Sequence, residues 1–255
     1  MYRISLFAAS CLAAVALALS GCSPATSEKL ADDTRDEATG SAPDRALDKS
    51  PSHLNDQVPD ATSNVDGPEK ASDSGILAKY ANLDPQHLIP RNLLAAALTY
   101  YDANLAVIRN KAYVSVIDFS LPSSKQRFWI INMTSGTVFS TTVAHGRGSD
   151  ANNDGYADKF SNVDNSLASS LGIYLTDDTY KGSNGLSLRL DGKSPTNSNA
   201  RARQVVIHGA SYVQDREVNQ GRSWGCPAVP QAYRDRIIGW LKGGSVLYAN
   251  QSTKI

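Results

Sequence analysis

From Pro90 to Ala106, apolar side chains recur three and four residues apart, at Leu93, Leu94, Ala97, Leu98, Tyr101 and Leu105. That period lines them along one face of an α-helix, and a proline at the first turn suits a helix start. Beyond it the period drops to two. Tyr113 to Phe119, Phe128 to Met133 and Thr137 to Val143 are β-branched and aromatic runs, the last two joined by a Thr134-Ser135-Gly136 turn as a hairpin. Shorter runs follow at Leu171 to Leu175, Leu186 to Leu190, Val205 to His208 and Val246 to Tyr248. Pro230 to Leu241 reads as a second helix, with Tyr233, Ile237, Ile238 and Leu241 on one face. No segment repeats. The pattern predicts an α+β domain with a mostly β core, a helical N-terminal lead-in and strands buried on one face.

Two other regimes precede this one. Met1 to Arg3 is a short positive head, and Ile4 to Leu19 is an almost uncharged apolar stretch ending at small residues. Charge, core and cut site together read as a signal peptide over residues 1–21, too short for a membrane span of roughly 20 apolar residues. Its end, Leu19-Ser20-Gly21-Cys22, resembles a bacterial lipobox, which implies cleavage before Cys22 and lipidation of that cysteine. Several acyl chains on one residue suffice for stable membrane attachment. Residues 22–75 are rich in Ser, Thr, Pro, Asp and Ala, without Phe, Trp or Tyr, and from Ser23 to Gly75 carry 12 acidic against 5 basic side chains. Such a stretch buries too little to offset the cost of ordering, and reads as an acidic tether. Ser23, in place of an Asp beside the lipidated cysteine, points to the periplasmic side of an outer membrane.

Residues 76–255 are therefore the folded domain. The whole chain has zero formal net charge, but this hides a domain of +6 beside a tether of −7. A mildly basic surface suits an anionic wall polymer, and no basic run interleaved with aromatics points to nucleic acid.

Cys226 is the only cysteine after Cys22, so the exported chain would hold one thiol and no internal disulfide. It stands in "GRSWGCP", between Gly225 and Pro227, just ahead of the second helix. A tight turn at or near a helix N-terminus would converge backbone N–H groups on the sulfur and favour its anion. Bringing a free thiol's pKa from near 8.5 to 7 takes roughly 2 kcal/mol of preferential thiolate stabilisation. A base is needed too. His208 closes the apolar run Val205-Val206-Ile207, and His145 likewise ends a strand before a glycine; on spacing either serves, with His208 preferred. His53 lies in the tether and His87 in a loop. A zinc site would need three protein ligands, and neither C-x-x-C nor H-E-x-x-H occurs, so no metal or other cofactor is expected. Asp150, Asn152, Asp154 and Gly155 match the first half of a calcium loop, but position twelve is Ser161, which favours a solvated loop.

With a histidine-glycine pair at a strand end followed by Ser-x-Gly-Cys, the chain resembles the L,D-transpeptidases, cysteine enzymes that cross-link peptidoglycan. It is most similar to the murein L,D-transpeptidase catalytic domain-like group (YkuD-related), in the ordered strings "HGRGS", "FSN", "SSLG", "SLRL", "VIHGA" and "GRSWGCP" from about Pro90 onward. The resemblance implies a strand-rich catalytic fold, Cys226 as nucleophile, His208 as general base and the Gly209 carbonyl as the group orienting its ring. It implies peptidoglycan stem peptides as partners and acylation of Cys226 by carbapenems. The turn around Trp224 and Gly225 would hold the oxyanion. Arg222, Ser223, Tyr212 and His145 are the candidate substrate contacts, although Arg222 could equally pin the loop and Ser223 bond backbone. Trp224 stands where the better-known branch has a second histidine, and Pro227 and Ala228 where it has an Arg or Asn. Transfer to an amine, hydrolysis of the same bond as an L,D-carboxypeptidase, and a non-catalytic wall-binding lipoprotein all remain open.

Overall fold

The computed structural model describes residues 69–253, so the signal segment, Cys22 and most of the tether lie outside the described residues. Two helices lead in, α1 (Glu69–Lys79) and α2 (Arg91–Ala103). The first begins ahead of the boundary expected after Gly75, which places the end of the expected tether inside a helix. Eight strands follow: β1 (Tyr113–Asp118), β2 (Phe128–Asn132), β3 (Val138–Thr141), β4 (Gly172–Gly182), β5 (Gly185–Gly192), β6 (Val206–Ala210), β7 (Ala228–Pro230) and β8 (Val246–Asn250). The third helix, α3 (Arg234–Leu241), sits between the last two strands.

One sheet holds every strand, in the order β3-β2-β1-β8-β4-β5-β6-β7. Neighbours run antiparallel except β1 with β8 and β6 with β7. A bridge between Ala144 and Ala228 ties the chain beyond β3 to β7, so the two edges of the sheet approach each other. This is the strand-rich α+β architecture that the periodicity predicts. One element differs. The expected helix from Pro230 starts only at Arg234, and residues 228–230 pair as the edge strand β7. Three residues ending in proline carry no periodicity, and a proline is tolerated at a sheet edge because no further strand needs its N–H.

The two-residue period sorts side chains between two cores rather than between a core and water. In β2, Phe128 and Ile130 enter a cluster with Ile117, Leu188, Leu190, Ile207, Val229 and the α3 residues Ile237 and Leu241. Trp129 and Ile131 point the other way, against Val114, Val116 and the α2 residues Leu93, Leu94 and Leu98. Helices covering both faces explain why "FWII" has no polar alternate, and correct the expectation of one-face burial. Consecutive truncations test this. Ile130→Ala and Ile131→Ala should each cost about 2 to 5 kcal/mol in urea unfolding; a near-neutral result for either would mean that its face of β2 is solvated.

Candidate active site

The register of the parallel pair β6–β7 places the thiol. His208 pairs with Ala228, Gly209 with Val229 and Ala210 with Pro230, so Cys226 stands two residues upstream of the partner of His208. Its sulfur is partly exposed and lies beside the β6 backbone: the thiol donates to the Gln204 carbonyl at 3.7 Å, and the Val206 N–H points at the sulfur. Cys226 thus leads into a strand, with no helix N-terminus behind it, which removes the helix-dipole part of the expected activation. Burial pushes the thiol pKa up, against the Val206 N–H and the Arg203 guanidinium, which pull it down. Dehydration outweighs the nearby charge, and the resting sulfur is a thiol.

His208 is 4% exposed, and its Nδ1 lies 3.0 Å from the Gly209 carbonyl oxygen. A carbonyl only accepts, so Nδ1 carries the proton and Nε2 keeps its lone pair. Burial lowers the ring's pKa, partly offset by that bond, and the imidazole is neutral near pH 7. Both members of the expected nucleophile–base pair are therefore held uncharged at rest.

The turn before the sulfur is built from close backbone packing. Gly225 has φ +117°, and a Cβ there would stand 2.7 Å from the Ala168 carbonyl oxygen. Gly146 faces it, with no room for a side chain against Leu167 and the Gly225 Cα. The Ser223 hydroxyl locks the turn by accepting from the Gly225 N–H at 3.1 Å and donating to the Cys226 carbonyl at 2.6 Å. Ser223 is 4% exposed, and its hydroxyl both donates and accepts inside the turn. The same bond takes the Gly225 N–H out of the expected oxyanion set. Trp224 projects outward, 69% exposed, and does not pack beneath the turn.

The remaining candidates separate. Tyr212 is 40% exposed and near enough to Cys226 for the sulfur to add to burial in pushing its hydroxyl up to about 12. Arg222 donates to the Asp150 backbone carbonyl and so holds a loop. His145 is 1% exposed, with Nδ1 2.7 Å from a nitrogen of Arg127 and Nε2 3.2 Å from Asp150 Oδ2. Arg127 only donates, so Nδ1 accepts and Nε2–H donates to the carboxylate. Both ring nitrogens are committed in a buried network. Asp150 also accepts the Asp154 and Gly155 N–H groups at 3.1 Å each, so the half-matched calcium loop is closed by its own amides.

Four side chains at the site escaped the sequence reading. Arg203 donates to the Ser161 and Ala168 carbonyls at 2.7 Å each and to Ser166 Oγ at 3.2 Å, supporting the segment under Gly225. Ser169 Oγ accepts the Gly146 N–H and donates to the Gly225 carbonyl. Tyr174 bonds Ser170, and the nearby sulfur adds to the burial that raises its hydroxyl. The strings "HGRGS", "SSLG" and "GRSWGC" thus meet in one place, and that concurrence is the only signal that could have flagged Ser169 and Ser170.

Two measurements follow from this geometry. Gly225→Ala requires a left-handed alanine and a displaced Ala168 carbonyl, and should cost about 2 kcal/mol or more in chemical unfolding; stability within 0.5 kcal/mol of wild type, taken as roughly the scale of neutral surface changes, would show that the close approach is absent. Burial first, then the Arg127 guanidinium, lowers the His145 pKa from 6.5 to about 4. The unfolded ring binds its proton near pH 6.5 and the folded one only near 4, so stability is complete above 6.5 and falls as pH drops through that interval. Urea unfolding at pH 4.5 should show roughly 2 to 3 kcal/mol less stability than at pH 7, with much of the slope gone in His145→Gln.

The L,D-transpeptidase catalytic domain family matches the chain over residues 86–250. No curated protein matches. Among solved structures, an L,D-transpeptidase in complex with imipenem is similar at 12% identity and TM-score 0.34, covering 54% of this chain and 58% of that one. A mutant of Enterococcus faecium L,D-transpeptidase is similar at 13% identity and TM-score 0.32, covering 55% and 50%. An L,D-transpeptidase from Xylanimonas cellulosilytica gives 18% identity and TM-score 0.29, covering 59% and 69%. The chain spans 58% and 50% of the length of the first two of these structures. On the family match, which takes in β1 to β8 and both Cys226 and His208, the chain belongs to the L,D-transpeptidase catalytic domain family.

Proposed function

We propose that the chain is a cysteine-dependent peptidoglycan L,D-transpeptidase, with Cys226 as nucleophile and His208 as general base. One observation carries this reading: a partly exposed thiol at the sheet edge, two residues ahead of the partner of His208, whose neutral imidazole has its Nδ1 proton fixed on Gly209, leaving Nε2 as the acceptor. A thiol and an imidazole both held neutral suit proton removal during attack rather than a standing ion pair.

The sulfur attacks the carbonyl that joins the L-centre of the diamino acid at stem position three to D-alanine at position four. His208 Nε2 takes the thiol proton as the C–S bond forms. Because the Gly225 N–H is held by Ser223, the oxyanion falls to the Cys226 N–H and its neighbours in the turn. Collapse of the tetrahedral adduct breaks the C–N bond, and the leaving D-alanine amine receives the proton from His208. A thioester remains on Cys226. An acceptor amine, deprotonated by the same ring, then takes the acyl group and regenerates the thiol; water in its place yields the free tripeptide. Carbapenems would acylate the same sulfur. We infer further that Cys22 carries the lipid anchor and that residues 22–75 let the domain reach the wall from a periplasmic membrane face.

Intact-mass analysis with a disaccharide tetrapeptide tests the chemistry. Wild type should lose D-alanine into product and carry a transient acyl adduct, while Cys226→Ala should lose at least about 10³-fold in rate, as for removal of a nucleophile; equal turnover by the two proteins would remove Cys226 from the mechanism. Burial lowers the His208 pKa from 6.5, so the acid limb of kcat/KM should fall below that value, and activity should persist at mildly acidic pH.

A further inference from the structure

A cavity of about 230 Å³ has Tyr180, Arg189, Arg201, Gln204 and Val206 in its lining. It adjoins the site through the backbone itself, since Gln204 and Val206 are the residues whose carbonyl and N–H flank Cys226 Sγ. Register places its arginine on the catalytic face. Arg189 pairs with Val206 and Ser187 with His208, while Tyr180 pairs with Ser187, so Tyr180, Arg189, Val206 and His208 all project to one side of the sheet. Arg189 is the diagonal neighbour of His208 there, a separation of roughly 7 to 8 Å between such residues.

The two guanidinium groups that line the cavity differ in what holds them. Arg201 is bound by Asp191 at 2.7 Å and by Asp177 at 2.5 Å, and its charge is balanced. Arg189 lies over the Tyr180 ring at 4.3 Å, and among the described residues no carboxylate pairs with it. An aromatic face restrains a guanidinium without using its N–H donors. Arg189 is therefore a half-buried, pre-oriented cation lining a cavity that shares Gln204 and Val206 with the surroundings of Cys226.

Resting on the transpeptidase reading, we propose that Arg189 is the carboxylate clamp for the acyl-donor peptide, fixing a free carboxylate near the scissile carbonyl by a bidentate hydrogen bond. Tyr180 is its positioning residue. The clamp makes a carboxylate, rather than its amide, a condition for tight donor binding.

Calorimetric titration of donor tetrapeptide into Cys226→Ala protein isolates binding from turnover. Adding Arg189→Gln should weaken the dissociation constant by about 10- to 100-fold, as expected for loss of a charge-assisted pair. Arg189→Lys should recover only part of it, because a point charge lacks the fork. Amidating the donor carboxylates one at a time should give one analogue that binds the Cys226→Ala protein as weakly as the free donor binds the Arg189→Gln form, with no further loss when the two changes are combined. Tyr180→Leu should give an intermediate loss with unchanged thermal melting. Equal donor affinity with and without Arg189, or amide penalties that add fully to the Arg189→Gln loss, would overturn the clamp. Donor binding that depends on Arg189 without any acylation of wild-type Cys226 would instead sink the transpeptidase reading and leave the clamp standing.

Discussion

The site depends on one close backbone approach. Gly225 and Gly146 touch without side chains between them, with the carbonyls of Leu167 and Ala168 against the same two glycines. Backbone packed on backbone leaves polar groups that must be satisfied locally, and here Ser169, Ser223 and Arg203 do so. The turn that aims the sulfur is therefore over-determined. Its geometry is held by three chain segments rather than by its own conformational preference.

The electrostatics run against simple thiolate activation. Dehydration raises the thiol and lowers the imidazole, and the charge that reaches Cys226 comes from Arg203 rather than from a histidinium. Burial therefore keeps the Cys226 sulfur protonated and the His208 ring neutral at rest. The second histidine serves a different end. His145 bridges the wholly buried Arg127 to Asp150, and so lets a guanidinium and a carboxylate coexist in the interior with their hydrogen bonds filled.

The sheet separates its side chains by face. Its inner face is closed by α3 and the larger apolar cluster, so polar function is left to the opposite side of β5 and β6. The two-residue period sends Leu188 and Ile207 into the core and Arg189 and His208 outward together.

Local pattern alone was enough to locate β1, β2, β5, β6, β8 and α2, because their alternation or helical spacing reports burial that neighbours in sequence share. The thiol, the His208–Gly209 pair and the glycines around them could be singled out for the same reason: each is a short-range chemical statement. What only the tertiary structure decided is where distant segments meet. Edge strand β7 exists because β6 offers it a partner, not because Ala228 to Pro230 prefers to be extended. His145 and His208 look alike as histidine-glycine pairs at strand ends, yet one is sealed between Arg127 and Asp150 and the other sits on the strand that pairs with the segment following Cys226. Arg203 carries no motif of its own and Arg189 only a place in "SLRL"; pairing partners far along the chain decide whether a cation supports a turn or stands without a carboxylate in a cavity.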